Sequence, residues 1–156
     1  MIGFGFDVHR LAEGQTLILA GVEIPSTIGT VAHSDGDVVF HALVDALLGA
    51  VALGDIGEHF PDSDPQWKGA ASSKFVEHAM RLLAEGGYHV INIDCTLVLE
   101  SPKILPYKLQ MRQNISTLCG VPLDRVAVKA TTSERMGYVG RKEGVHAFVA
   151  CEVQAR

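Results

Sequence analysis

The stretch from Tyr88 to Ala130, YHVINIDCTLVLESPKILPYKLQMRQNISTLCGVPLDRVAVKA, decides the fold. Its first part, Tyr88 to Glu100, reads as a β segment, with Val90, Asn92, Asp94 and Thr96 alternating onto one face. A helix starts near Pro106, a residue suited to a first helical position, and stops at Cys119-Gly120. Val126 to Ala130 is a second strand. A strand–helix–strand unit of this kind lays its two strands parallel, with a right-handed crossover.

The rest of the chain adds strands that can pair antiparallel. Ile2 to His9 reads as a strand, Thr16 to Leu19 and Val22 to Ile24 flank a tight Ala20-Gly21 turn, and Val145 to Val153 is the last strand. Ser34-Asp35-Gly36-Asp37 supplies N-cap chemistry for a helix reaching about Leu53. Phe75, Val76, Ala79, Leu82 and Leu83 set a helix from about Ser73 to Glu85, stopped by Gly86-Gly87. Ser26 to His33, Glu58 to Ala71 and Thr131 to Gly144 read as loops. The fold class is α+β, a two-layer α/β arrangement: one domain over residues 1–156, with a mixed sheet and helices on one face. Leu97-Val98-Leu99 and Ala147-Phe148-Val149-Ala150 are apolar at consecutive positions. A sheet apolar on both faces must bury both. The second face is therefore expected to pack against other copies in a closed homo-oligomer.

The chain carries a net charge of −5 without blocks of like charge, which argues against nucleic acid or a membrane surface as partner. The longest apolar run, Ala42 to Leu53, is broken by Asp45 and Gly49, so no membrane span is expected. Cys95, Cys119 and Cys151 form no framework, which fits a reducing cytoplasm, and because Met1 leads directly into a strand no secretory signal is expected.

Asp7 and His9 stand two apart in a strand and point to one face. His41 sits in the apolar helix from Val38, where an imidazole needs a partner. Two His and one Asp make a three-ligand set with an open fourth position, the arrangement of a catalytic zinc site. A hydrogen-bonded core histidine and a strand-end cap are the other reading. Asp37, His41 and Asp45 lie at i, i+4 and i+8, so Asp45 or Asp37 is expected to accept the second ring N–H of His41. His33-Ser34 at a helix start suits phosphate. The acidic turns Asp55-Ile56-Gly57 and Phe60-Pro61-Asp62-Ser63-Asp64 suit hydroxyls. Ala130-Thr131-Thr132-Ser133-Glu134 suits phosphate with a divalent ion.

Four segments carry a wider resemblance: GFDVH from Gly5, HSDGDVVFHALVDALLGAVALGDIGEHFPDSDP from His33, SPKILP from Ser101 and KATTSERMGYVGRKEG from Lys129. In order and spacing the chain resembles the 2-C-methyl-D-erythritol 2,4-cyclodiphosphate synthase family over its whole length. The resemblance implies a metal-dependent lyase of the non-mevalonate isoprenoid route. Such an enzyme converts 4-diphosphocytidyl-2-C-methyl-D-erythritol 2-phosphate to the cyclic diphosphate and CMP. It implies a homotrimer with sites at subunit interfaces and a central cavity that takes an isoprenoid diphosphate. By position, Asp7, His9 and His41 would hold Zn²⁺ or Mn²⁺, and Glu134 a Mg²⁺ or Mn²⁺ ion on the diphosphate. His33 and Thr132 would stabilise the transition state. Substrate would contact Asp7-Val8-His9, His33-Ser34, Asp55 to Gly57 and Phe60 to Asp64. Its cytidine and phosphates would lie along Leu99, Glu100, Ser101, Pro102, Lys103, Ile104 and Leu105, and along Ala130, Thr131, Thr132 and Ser133. Tyr138 and Arg141 would lie near the diphosphate and the three-fold axis. A metal-dependent phosphohydrolase and a trimeric isoprenoid-diphosphate-binding protein are the alternatives that share these residues.

Overall fold

The computed structural model describes the chain from Met1 to Arg156. Its elements run β1 (Ile2–Glu13), β2 (Leu17–Leu19), β3 (Val22–Ile24), β4 (Ile28–Val31), α1 (Val38–Ala50), α2 (Ile56–His59), α3 (Ser73–Glu85), β5 (Tyr88–Val98), α4 (Lys108–Cys119), β6 (Val126–Thr131), α5 (Gly137–Gly140) and β7 (Gly144–Ala155). A five-stranded sheet has the order β4-β1-β7-β5-β6, and β2-β3 form a separate hairpin. β5 and β6 are parallel, from Ile93 opposite Val126 to Val98 opposite Thr131. Every other pair is antiparallel. The mixed sheet and the parallel unit across α4 follow the sequence reading.

Local features differ from it: the loops read over Glu58 to Ala71 and Thr131 to Gly144 hold the end of α2 and all of α5. Ser26 to His33 is not all loop: Ile28–Val31 pairs with Arg10–Glu13 at the sheet edge. β1 runs four residues past His9 to supply that partner. A four-residue edge strand around Gly29 has too little alternation to be seen before its partner is known. In β5 the register shifts between Val90 and Asn92. This bulge turns Val90 inward with Ile93, Cys95 and Leu97, while Asn92, Asp94 and Thr96 stay on the other face.

Helices α1, α3 and α4 pack against the sheet, α1 over β1 and β7, α3 against β5 and α4 against β6. The core joins them to the inner strand residues Val145, Ala147, Val149, Cys151 and Val153 of β7. Ten of the 13 residues of α1 are buried; His41 and Asp45 are the two partly exposed ones, with Gly49 one turn on. None of the helices is long and apolar enough to cross a membrane.

The approach of α1 to β1 depends on two glycines. A Cβ on Gly5 would lie 1.9 Å from the Ala42 carbonyl oxygen, and one on Gly3 would lie 1.8 Å from that of Ala46. Gly3, Gly5, Asp7 and His9 share this face of the strand. The glycines let the helix lie on the backbone, and that brings His41 over Asp7. We expect Gly5→Ala to push α1 outward at a cost of about 1–3 kcal/mol, the usual range for overpacking. Metal affinity should fall with it, because the ligands would separate. Urea unfolding together with zinc titration checks both, and unchanged zinc binding would count against this coupling.

The opposite face of β1 is different in kind. Ile2 is 73 % exposed, Phe4 65 %, and Phe6 and Val8 43 % each. Phe148 on β7 stacks beside Phe4 and Phe6, with ring centroids 6.0 and 5.1 Å apart. A contiguous apolar sheet face of this sort is a surface for association.

Candidate active site

Strand alternation and the glycine-lined contact bring Asp7, His9 and His41 together. Asp7 Oδ2 lies 3.3 Å from His9 Nε2 and 3.2 Å from His41 Nδ1. The three ligand atoms all lie within 4.8 Å of one another. Asp7 Oδ2 and His9 Nε2 are buried and have no hydrogen-bond partner. Leaving such atoms unpaired is costly, and a divalent cation would satisfy them together. Burial lowers the His9 pKa, against the opposing pull of Asp7, so its ring keeps a lone pair to donate near neutral pH. The residues fit a metal ion, with one carboxylate, two imidazoles and an open side.

That open side faces a cleft of about 570 Å³. Of the residues singled out from sequence, His33, Ser34, Ile56, Gly57, Phe60, Pro61 and Asp62 line it with Asp7, His9 and His41. His33 Nε2 is buried there without a partner. Asp55 does not line the cleft; its carboxylate caps α2 by accepting from the Glu58 N–H at 3.0 Å. Asp64 likewise caps the turn that follows, accepting from the Gln66 N–H at 3.0 Å. Val8, Ser63 and Asp64 lie outside this lining, Val8 because strand alternation turns it to the opposite face. Sequence reasoning missed Val31, Ala32, Trp67 and Phe75 in the wall. Phe75 packs tilted against Phe60 and Trp67 meets it edge-to-face, at centroid distances of 4.4 and 5.1 Å, and this aromatic cluster lines the cleft. Their only sequence signal was helical spacing for Phe75, which reads as core.

A second cleft of about 270 Å³ gathers the other half of the sequence-derived residues. Leu99, Glu100, Pro102, Lys103, Ile104 and Leu105 line it with Ala130, Thr131 and Thr132, and Lys108 adds a cation not foreseen. Ser101, Ser133, Glu134, Tyr138 and Arg141 lie outside its lining. Glu100 has a structural task here. Its Oε1 accepts from the Ser133 N–H at 3.1 Å, the Ser133 hydroxyl at 3.0 Å and the Arg135 N–H at 3.2 Å. These bonds hold a turn in which Glu134 and Arg135 both have positive φ, 55° and 62°. Two successive non-glycine residues in that region need such support. Tyr138 bonds His146 through its hydroxyl. Arg141 pairs with Glu143 at 3.0 and 3.1 Å.

The two clefts do not meet within one chain. Val8, His146, Val98 and Thr131 form one row across β1, β7, β5 and β6. Three strand steps of about 4.8 Å each put roughly 14 Å between the row's ends.

The assignment of Asp45 or Asp37 as the partner of His41 is corrected by the structure. Asp45 Oδ1 accepts from the Ile56 N–H at 2.8 Å. Asp37 is fully buried as the N-cap of α1. It accepts from the N–H groups of Ala20 at 2.9 Å, Gly21 at 2.7 Å, Val39 at 3.2 Å and Phe40 at 3.1 Å. The His41 Nε2 atom instead contacts Ser72 Oγ at 2.9 Å and Ser34 Oγ at 3.0 Å. Helical spacing put the acids on the correct side, but the neighbouring loops claimed both carboxylates.

Fold and site together define a two-layer α/β protein with an Asp-His-His metal-binding centre at the mouth of a cleft. The YgbB family model matches residues 1–154, and the chain belongs to that family. It is 54 % identical over 153 residues to a 2-C-methyl-D-erythritol 2,4-cyclodiphosphate synthase of Chlorobaculum tepidum, covering 98 % of each chain. A solved 2C-methyl-D-erythritol-2,4-cyclodiphosphate synthase in its CDP-bound form superposes with a TM-score of 0.92 at 42 % identity, covering 99 % of this chain and all of that one. The bifunctional IspDF of Campylobacter jejuni superposes with a TM-score of 0.95 at 44 % identity. This chain covers 42 % of that longer protein, and 99 % of its own length is matched.

Proposed function

We propose that this chain closes 4-diphosphocytidyl-2-C-methyl-D-erythritol 2-phosphate into 2-C-methyl-D-erythritol 2,4-cyclodiphosphate, releasing CMP. One observation carries the reading: the Asp7, His9 and His41 cluster, with its unpartnered atoms, opens into a cleft on a chain 54 % identical to a synthase of that name. The 2-phosphate oxygen attacks the β-phosphorus, and the bond from that phosphorus to the CMP oxygen breaks. Asp7, His9 and His41 would hold Zn²⁺ or Mn²⁺, and Glu134 a Mg²⁺ or Mn²⁺ ion. When bound, such ions supply charge neutralisation and polarise phosphoryl oxygens.

The rest falls to the chain. The reaction is intramolecular, so alignment removes much of its barrier; well-oriented groups reach effective molarities of about 10⁵–10⁸ M. Ile56, Gly57, Phe60, Pro61 and Asp62, which line the first cleft, would enclose the methylerythritol part and exclude water, which would otherwise give hydrolysis. Lys103 would bind phosphate, and Leu99, Glu100 and Pro102 to Leu105 with Ala130 to Thr132 would seat the cytidine end. The CDP-bound relative supports a nucleotide in this reading. His33 and Thr132 would meet charge developing on the phosphoryl group. A phosphorus NMR assay on the purified protein with the cytidyl substrate tests the whole reading. Cyclic diphosphate with CMP is the expected product; phosphomonoesters would make the chain a phosphohydrolase.

His33 and Thr132 lie in different clefts, which supports active sites shared between chains of a homotrimer. Exposed Ile2, Phe4 and Phe6 would then face a three-fold axis, with Tyr138 and Arg141 near it. An isoprenoid diphosphate in that central cavity belongs to the same proposal. Three buried, unpaired thiols support a cytoplasmic protein, and one continuous core supports a single domain over residues 1–156. Mixing inactive His41→Ala chains with inactive Lys103→Ala chains under exchange conditions should restore part of the activity. Proven hybrids that remain dead would mean each site is built within one chain.

A further inference from the structure

Each nitrogen of the His41 ring has a separate task. Nδ1 faces Asp7 Oδ2 at 3.2 Å, inside the metal-binding cluster. Nε2 faces away, 2.9 Å from Ser72 Oγ. Ser72 is fully buried and stands one residue before α3, 31 residues along the chain from His41. Behind it lies Asp35. The Asp35 carboxylate accepts from the Ser72 hydroxyl through Oδ1, and from the Ser72 N–H through Oδ2 at 3.0 Å. Asp35 Oδ1 also accepts from the Asp37 N–H at 3.1 Å, so the carboxylate is tied to the start of α1 as well.

The direction of these bonds is fixed by what each group can do. An ionised carboxylate only accepts, so the Ser72 hydroxyl proton points to Asp35. The Ser72 oxygen is then left with lone pairs toward His41. It can only accept from that ring, so Nε2 must carry the proton. A neutral imidazole protonated at Nε2 has its free lone pair at Nδ1, which is the atom facing Asp7 and His9. Ser34 Oγ contacts Nε2 at 3.0 Å too, but it has no carboxylate behind it and itself accepts from the Gly36 N–H at 3.3 Å. It leaves either tautomer open.

We infer that Ser72 and Asp35 are positioning residues for the metal centre: they hold the His41 ring in place and set the tautomer that turns a lone pair toward the metal. The inference rests on Asp7, His9 and His41 being the metal site. It also links that site to the segment ending at Ala71, because the same Ser72 that orients His41 anchors the start of α3.

The test has two readouts. Zinc affinity is measured by chelator competition for wild type, Ser72→Ala, Asp35→Asn and the double variant. Ser72→Ala should bind zinc about 10-fold more weakly or worse, the lower end of the range for partners of metal-bound histidine. Asp35→Asn should also weaken binding, and the double variant should be no worse than Ser72→Ala, since both changes cut one chain of bonds. Wild-type affinity in Ser72→Ala, or losses that simply add, would overturn the inference. The second readout is the imidazole nitrogen NMR spectrum of the metal-free protein. Wild-type His41 should be protonated at Nε2, and Ser72→Ala should gain the Nδ1–H form. An unchanged tautomer overturns the relay. Asp35→Asn, which keeps the serine, gives the same spectral test should Ser72→Ala fail to fold. A wild-type protein that binds no zinc would remove the metal reading, while the tautomer measurement would still decide what Ser72 does.

Discussion

His41→Ala should lose metal binding and turnover together. The substitution leaves Asp7 and His9 as the only protein ligands of the cluster. A three-ligand centre reduced to two no longer holds an ion tightly against water. A metal that stabilises phosphoryl charge contributes several kcal/mol to the transition state. Its loss corresponds to a fall in turnover of about 10³-fold or more. The fold should survive, because His41 is partly exposed and α1 is held by ten buried residues. Elemental analysis and the phosphorus NMR assay give the two numbers, and circular dichroism gives the control. A His41→Ala protein carrying a full complement of zinc would sink the ligand assignment.

Asp37→Ala should be the most damaging change outside the site. Four backbone N–H groups, from Ala20, Gly21, Val39 and Phe40, depend on this one buried carboxylate. It caps α1 and also pins the β2–β3 turn to the helix start. Removing one partner from a buried charged network costs about 3–5 kcal/mol. At this chain length that corresponds to a drop in Tm of about 10 °C. Thermal unfolding of the metal-free protein measures it, and a shift under 2 °C, about the effect of less than 1 kcal/mol, would refute the role.

The same residue gives a pH dependence with a definite sign. Burial raises the Asp37 pKa from 3.8 to about 6, against the pull of the Gly21, Phe40 and Ala20 N–H groups. Between those values the folded chain binds a proton that the unfolded chain has released. The contribution of this group to stability is therefore fully present below about pH 4 and is lost as pH rises through about 6. The slope is at most about 1.4 kcal/mol per pH unit. Asp37→Asn does not titrate, so the stability difference between wild type and variant should shrink by that slope across the window. Urea unfolding from pH 4 to 7 reads it directly.

Much of the fold and part of the site were legible in the chain. Period-two alternation put Asp7 and His9 on one face, and nothing beyond strand geometry was needed for that. The apolar run from Val38 made α1 a core helix and His41 an anomaly within it. Tyr88 to Ala130 specified a parallel unit because a strand–helix–strand crossover has one favoured hand. Consecutive apolar residues announced a sheet with two apolar faces, and exposed Phe4 and Phe6 bear that out. Each of these rests on local periodicity, which a sequence records.

What tertiary structure decided were the pairings between segments far apart in the chain. β4 exists because β1 runs on to Glu13 and offers it an edge. Gly3 and Gly5 read as ordinary strand glycines until the Ala42 and Ala46 carbonyls were seen lying against them. Asp37 and Asp45 had the right helical spacing to serve His41, yet the hairpin and the start of α2 took their carboxylates, and Ser72 took the ring. The separation of His33 from Thr132 into two clefts followed from strand order. A hydrogen bond goes to whichever donor the folded backbone brings within about 3 Å. Which donor that is depends on the packing of the whole chain, and no spacing along the sequence encodes it.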